Sequence, residues 1–275
     1  MPSAPDVDTL AAKVPDGSLL SWPVDYAGSP VALAHALVRK GARNLRLQTI
    51  PASGYAADLL IGAGCVAEIE TSGVSLNEFG PANRFAKAVK SGTIRIKDAT
   101  CPAVHAELQA AQKGVPFVPM RGIIGSDILK NRDDWKQVDN PFGDNDPIVL
   151  VPAVQADFAC FHAALADANG NVWVGRRGEL KTQAHAAAAS LVTAEALYDG
   201  DLLEHDTYAA GTIPALYLEA VALAPQGAWP CGFWYEDQPV DEAQMQLYAK
   251  ASRTDEGFQS YLNEYVYGRR RAAAE

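Results

Sequence analysis

Few side chains in this 275-residue chain are spaced so that they could do chemistry together. The richest group is RGIIGSD at residues 121–127. Gly122 and Gly125 allow a backbone to come close to a ligand, and Ser126 sits in the same loop. Arg121 offers a planar, two-pronged donor for a carboxylate or phosphate oxygen. The same residues equally suit a tight loop that closes a sheet, with Arg121 paired to an internal acid such as Asp139. Glu78 lies in SLNEFG just before a helix, where it either faces a pocket or serves as a capping or surface acid. Cys101 precedes a helix start, a position that stabilises a thiolate. It is also an ordinary structural position, and the structural reading is preferred. His162 ends the apolar run Phe158-Ala159-Cys160-Phe161, and a lone histidine there is expected to be a satisfied core group more often than a functional one.

Two weaker signals complete the inventory. Gly175-Arg176-Arg177-Gly178 before a helix gives two arginines able to meet phosphates, but the motif is short and backbone capping is the preferred reading. Trp229 and Trp234 flank Pro230-Cys231-Gly232-Phe233 and suit an acyl pocket or, preferably, a subunit interface. Gly62-Ala63-Gly64 lacks the third glycine of a dinucleotide fingerprint. Glu68 and Glu70, two residues apart, share one strand face and are read as structural or surface acids.

These groups need elements to hold them. Short apolar runs alternate with helical patterns along the chain, which predicts an α/β fold with helices on both faces of an open, largely parallel sheet. Residues 18–22, 44–50, 93–98, 158–164, 190–194 and 216–222 read as strands. The runs 115–119 and 148–151 suit buried strands, although Pro116 and Pro119 weaken the first. Val31, Leu33, Ala34, Leu37 and Val38 follow helical spacing up to Lys40-Gly41, a cation and a closing glycine. Residues 83–90, 103–112, 180–189, 243–251 and 254–267 read as further helices. Residues 57–61 run toward the turn at Gly62. The stretch 131–147 reads as a long loop.

Composition narrows the function. A hydrophobic fraction of 48% supports a sizeable core. We expect a single domain over 1–275, with a core about 14–267 and flexible ends. A formal charge of −10 argues against nucleic-acid binding, and Arg269-Arg270-Arg271 is read as a solvated tail. No stretch has the form of a signal sequence or a membrane span, so a cytoplasmic location is expected. Cys65, Cys101, Cys160 and Cys231 are widely spaced and do not form a zinc pattern.

Several stretches, in one order, resemble the alpha-type subunit of family I coenzyme A transferases, the group that includes glutaconate CoA-transferase. They are DLLIGAG at 58–64, taken as the strand-turn after the second strand, and RFAKAVKSG at 84–92. The others are GVPFVPMRGIIGSD at 114–127, residues 157–171 with their Gly-Asn turn, PQGAWPC at 225–231, and 254–265. The resemblance covers roughly residues 14–267. It implies an α/β subunit that works with a beta subunit in an α2β2 heterotetramer of organic-acid catabolism. It also implies that the nucleophilic glutamate lies on the partner, and that CoA is a substrate component with no bound prosthetic group or metal.

Two departures qualify these implications. The family's glycine-rich turn after the first strand is replaced here by Ser21-Trp22-Pro23-Val24-Asp25-Tyr26-Ala27-Gly28, which is bulkier and stiffer. Related ring-opening hydrolases place a glutamate just before the helix near Ala103, where this chain has Thr100-Cys101-Pro102, with Asp98 and Glu107 as the nearest carboxylates. A hydrolase of CoA thioesters on the same fold is the alternative reading. A non-catalytic binding paralogue, motivated by the bulky segment 22–26, is a third.

Overall fold

The computed structural model describes residues 6–268; the arginine run at 269–271 lies outside them. The chain opens with a short helix α1 (Val7–Ala12), which the polar, Pro-rich sequence of this segment does not announce. Asp6 caps it, accepting from the Thr9 amide, and Leu10 is buried. Then come β1 (Leu19–Pro23), α2 (Val31–Lys40), β2 (Leu45–Ile50), α3 (Tyr55–Gly62), β3 (Val66–Thr71), α4 (Asn83–Ser91), β4 (Arg95–Asp98) and α5 (Cys101–Lys113). An insert follows, made of β5 (Phe117–Met120), β6 (Lys136–Asp139) and β7 (Pro147–Pro152). The second half is β8 (Phe158–Ala166), β9 (Val172–Trp173), α6 (Gly178–Ala186), β10 (Ala189–Leu197), β11 (Thr212–Ile213) and β12 (Ala220–Leu223). Helices α7 (Glu242–Ala251) and α8 (Asp255–Tyr261) close the chain, the latter running into a π-helical turn at Leu262–Tyr267.

Seven strands pair in parallel in the order β12-β10-β8-β1-β2-β3-β4. The short strands β9 and β11 add antiparallel to the end of β8. Helices cover both faces, as the pattern predicts. Cys160, Leu191 and Ala222 join the core with α1, α2, α3, α7 and α8, whereas their neighbours Phe161 and Val192 join α6 on the other side. Helix stops follow the glycines: Gly41 takes φ +73, and the Ala42 amide reaches back to the Leu37 carbonyl.

Two expectations need correction. Residues 57–61 belong to helix α3, not to a strand-turn. Short runs that are apolar but for one residue, here Asp58, carry no periodicity that separates a buried helix from a strand, and α3 is buried on every side from Tyr55 to Ile61, Asp58 included. The stretch 131–147 is not all loop. It contains β6, which pairs with β7, and β7 with β5, in a separate three-stranded antiparallel sheet. The four residues of β6 are all exposed, so no apolar alternation marks them.

The strand order reverses at β1. From β1 the chain moves outward through β2 and β3 to β4, then returns through α5 and the insert to lay β8 on β1's other side. In open parallel sheets the crevice outside the carboxyl ends at such a reversal is where ligands bind.

Candidate active site

The loop leaving β1 turns directly into that crevice. Gly28 accepts from the His162 amide (2.7 Å), which ties the loop to β8. Gly28 has φ +103, and a Cβ there would stand 2.5 Å from the His162 carbonyl oxygen, so only glycine allows the contact. The loop exposes Tyr26, 61% accessible. Arg177 Nη2 donates to the Tyr26 carbonyl (3.0 Å), and its guanidinium lies 5.5 Å from the Tyr26 ring centroid. A cleft of about 420 Å³ opens here between Tyr26, Arg177 and the 231–240 loop. A second, of about 340 Å³, is lined by Trp173, Gly175, Arg176, Arg177 and Trp234. Arg177 and Trp234 border both, so the two clefts are neighbours. Gly175 (φ +59) makes the packing possible: a Cβ would meet the Trp234 ring at 2.6 Å.

His162 supports this crevice from below. It is fully buried, and both ring nitrogens are paired. A carboxylate can only accept, so Nε2–H donates to Glu195 (2.9 Å) and Nδ1 accepts from the Thr193 hydroxyl (2.8 Å). Burial lowers the histidine's pKa against the pull of Glu195, which keeps the ring neutral. Glu195 in turn accepts from the Gln226 amide (2.7 Å), so the histidine and Glu195 fix the loop at 225–227. The structure therefore gives His162 the satisfied-core role and does not place it in the open crevice.

The remaining sequence candidates scatter. Glu78 is exposed in a 3-10 turn (Asn77–Phe79) after β3. Cys101 is exposed at the first position of α5, its Sγ 3.3 Å from Ser72 Oγ. Both lie at the carboxyl ends of β3 and β4, on the same edge as the crevice but beyond β2. Arg121, Gly122, Gly125 and Ser126 stand apart on the antiparallel insert, Ser126 donating to the Ile123 carbonyl. Arg121 is exposed and forms a two-pronged pair with Asp146 (Nε to Oδ1 2.7 Å), not with Asp139. Trp229 donates to Asp241 (3.0 Å), while Trp234 forms a wall of the crevice.

Between the sheet and α5 lies a polar cluster that no local sequence pattern assembles. Gln48, Glu70 and Lys97 stand in register across β2, β3 and β4 and face the helix. Glu107 reaches down from α5, fully buried, and accepts from Gln48 (3.0 Å) and Trp135 (3.3 Å). Arg132 enters from the insert, 2.6 Å from Glu70, 3.2 Å from Glu107 and 2.8 Å from Asp134, with Trp135 stacked at 3.9 Å. Lys97 pairs with Asp134 at 2.8 Å. Burial, and then the negative charge of Glu70, push the Glu107 carboxyl up to about 8, despite Arg132. Glu70 and Asp134 face Arg132 and Lys97 across the cluster, two acids against two cations. The sequence hints only at Glu70, on one strand face with Glu68, and at Glu107, as a carboxylate near the helix start. Their partners come from segments far along the chain.

An outward-facing crevice at the strand-order reversal, with cations and aromatic walls, is the geometry of a ligand-binding subunit. A coenzyme A transferase family profile matches residues 6–224. The chain belongs to the coenzyme A transferase family. It is 29% identical over 259 residues to the A subunit of glutaconate CoA-transferase from Acidaminococcus fermentans, covering 86% of this chain and 79% of that one. To the A subunit of 3-oxoadipate CoA-transferase from Pseudomonas knackmussii it is 30% identical over 247 residues, 87% and 84% of the two chains. A cholesterol ring-cleaving hydrolase IpdA subunit of Rhodococcus jostii is 27% identical over 250 residues, 87% and 84% covered. The chain spans about half, 52%, of an uncharacterised Archaeoglobus fulgidus protein to which it is 29% identical. The crystal structure of glutaconate coenzyme A-transferase from Acidaminococcus fermentans superposes with a TM-score of 0.86 at 26% identity, over 97% of this chain and 89% of that one. The decarboxylase AibA/AibB, in a cysteine-to-serine variant, gives 0.78 at 26% identity, over 96% and 100%. Within the family, this alpha-type chain presents its reversal crevice on one edge of the sheet.

Proposed function

We propose that this chain is the alpha subunit of a heteromeric CoA transferase that moves CoA between an acyl-CoA thioester and a carboxylic acid. The observation that carries the reading is the crevice of Tyr26, Arg177 and Trp234 at the strand-order reversal of an alpha-type chain. The nucleophilic glutamate is supplied by a beta subunit, in an α2β2 assembly within the cytoplasm. That glutamate attacks the thioester carbonyl and expels the CoA thiolate, leaving an acyl–glutamyl anhydride. The thiolate then attacks the glutamyl carbonyl, releasing the first carboxylate and leaving a glutamyl-CoA thioester. A second carboxylate takes over the CoA by the same steps in reverse. Dividing the exchange in this way is the advantage of a covalent intermediate. This chain's part is to orient the acyl group, to donate hydrogen bonds to developing oxyanions and to exclude water.

The same scaffold carries a second chemistry in the ring-cleaving hydrolase relative, so a hydrolase of CoA thioesters is the competing reading. The purified two-subunit complex separates them. Exchange of CoA onto an added acid, retained in Glu107→Gln, supports the transferase. Thioester loss or C–C cleavage with no acceptor acid, abolished in Glu107→Gln, supports the hydrolase.

A further inference from the structure

Tyr26 is held in its cleft by the residue before it. Asp25 turns inward and is only 6% exposed. Its Oδ2 accepts from the Tyr55 amide at the start of α3 (2.9 Å). The Gly54 amide lies against the same carboxyl. A Cβ at Gly54 would collide with that oxygen and stand 2.5 Å from the Ser75 carbonyl oxygen, so the fit requires glycine. The Cys231 thiol lies against Asp25 too, and burial and the acid beside it push that thiol well above the ordinary range, so it keeps its proton to donate. Cys231 and Tyr26 both line the larger cleft, whereas Asp25 lines neither. One side chain thus joins the β1 loop, the start of α3 and the 231–240 loop. Burial pushes its carboxyl up to about 6 against the pull of the two amides. A carboxyl is a costly group to bury for packing alone.

We propose that Asp25 is a positioning residue: its carboxyl sets where Tyr26 stands and, through the Tyr26 carbonyl, where Arg177 stands. The consequence for the reaction rests on the transferase reading given above. An acyl-CoA held against a displaced Tyr26 and Arg177 still binds, but its thioester sits off the line of attack. Such a misplacement slows the chemical step more than it weakens binding. Asp58 supplies the comparison. It is also a buried acid pushed up to about 6 by burial, and it accepts from the Phe85 amide (2.7 Å) and the Tyr248 hydroxyl (2.7 Å). It joins α3 to α4 and α7 and lines neither cleft.

The purified two-subunit complex is assayed as wild type, Asp25→Asn, Asp25→Glu and Asp58→Asn, by CoA exchange between butyryl-CoA and acetate and by calorimetric titration with butyryl-CoA. Asp25→Glu keeps the charge but is one methylene too long, and should lower kcat about a hundredfold while weakening binding only about fivefold. Asp25→Asn keeps an oxygen for the Tyr55 amide and should stay within about threefold of wild type in both, as should Asp58→Asn. If Asp25→Glu does not assemble, Asp25→Ala, which removes the anchor without overfilling the site, carries the same expectation. A fully active Asp25→Glu, or an Asp25→Asn as poor as Asp25→Glu, overturns the proposal. Exchange by wild type with all variants alike also overturns it and leaves the transferase reading standing. If wild type binds butyryl-CoA but exchanges nothing, the transferase reading falls and binding decides the proposal: weakening in Asp25→Glu alone upholds it, and equal affinities overturn it. A wild type that binds no butyryl-CoA overturns both.

Discussion

Arg132 donates to Asp134, Glu107 and the Asp98 carbonyl and lies 2.6 Å from Glu70, while Trp135 covers its face. Removing one partner from a buried charge cluster leaves the others uncompensated, so Arg132→Met should lower stability by about 3–5 kcal/mol in urea unfolding. Glu107→Gln replaces a carboxyl that burial already pushes toward its neutral form and should cost only about 1 kcal/mol. The two variants also differ in pH behaviour. Glu107 titrates near 8 in the folded chain and near the ordinary 4.5 when unfolded. Between those values the native state holds a proton that the unfolded state has released, so this group's contribution to stability falls as pH rises and is gone above 8. Melting curves from pH 6 to 8.5 should show wild type losing stability relative to Glu107→Gln. A parallel pair of curves would mean that Glu107 is ionised throughout. Only Glu70 and Glu107 of this cluster are marked in the sequence, and not as neighbours, because charged residues from β3, β4, α5 and the insert meet only through tertiary packing.

At the level of elements, the contact between the β1 loop and β8 positions the crevice. Gly28 and Gly41 both adopt positive φ, but a Cβ at Gly41 meets nothing within 4 Å while one at Gly28 meets the His162 carbonyl. Gly41→Ala should therefore cost only the conformational term, about 1 kcal/mol. Gly28→Ala should cost about 1–3 kcal/mol more, because backbone must move. Equal thermal shifts would deny the close approach. Most elements of this half are legible in the sequence. The helix of residues 31–40 announces itself by spacing and a closing glycine, and α5 by Thr100, Pro102 and Gly114. Helix α3 does not, since Ala56, Ala57, Leu59, Leu60 and Ile61 are buried around the whole helix and present no polar face. Strand β6 is hidden for the opposite reason: its Lys-Gln-Val-Asp pattern is exposed, and only pairing to β7 makes it a strand.

Over the whole molecule, the parallel sheet with helices on both faces can be read from alternation, and the family from motifs in order. The site is legible only in part. The loops carrying Arg121, Glu78 and Cys101 draw attention by their residue types, yet the structure sets Arg121 on the insert, away from the strand-order reversal. The neighbouring clefts instead gather Tyr26, Arg176, Arg177, Trp173 and Trp234 from segments far apart in the chain. Arg177 reads as a backbone-capping residue in the sequence because short motifs carry little specificity, and Trp234 reads as part of a subunit interface. If this chain is one half of a transferase, its nucleophile lies on another chain, and the covalent intermediate must form there. The most direct measurement is borohydride trapping of the complex purified from its own cells, incubated with acyl-CoA and mapped by mass spectrometry. The expected product is a reduced glutamate on a co-purifying second chain and none on this one. A trapped Glu78, or a homo-oligomer that turns over acyl-CoA with no second chain present, would contradict it.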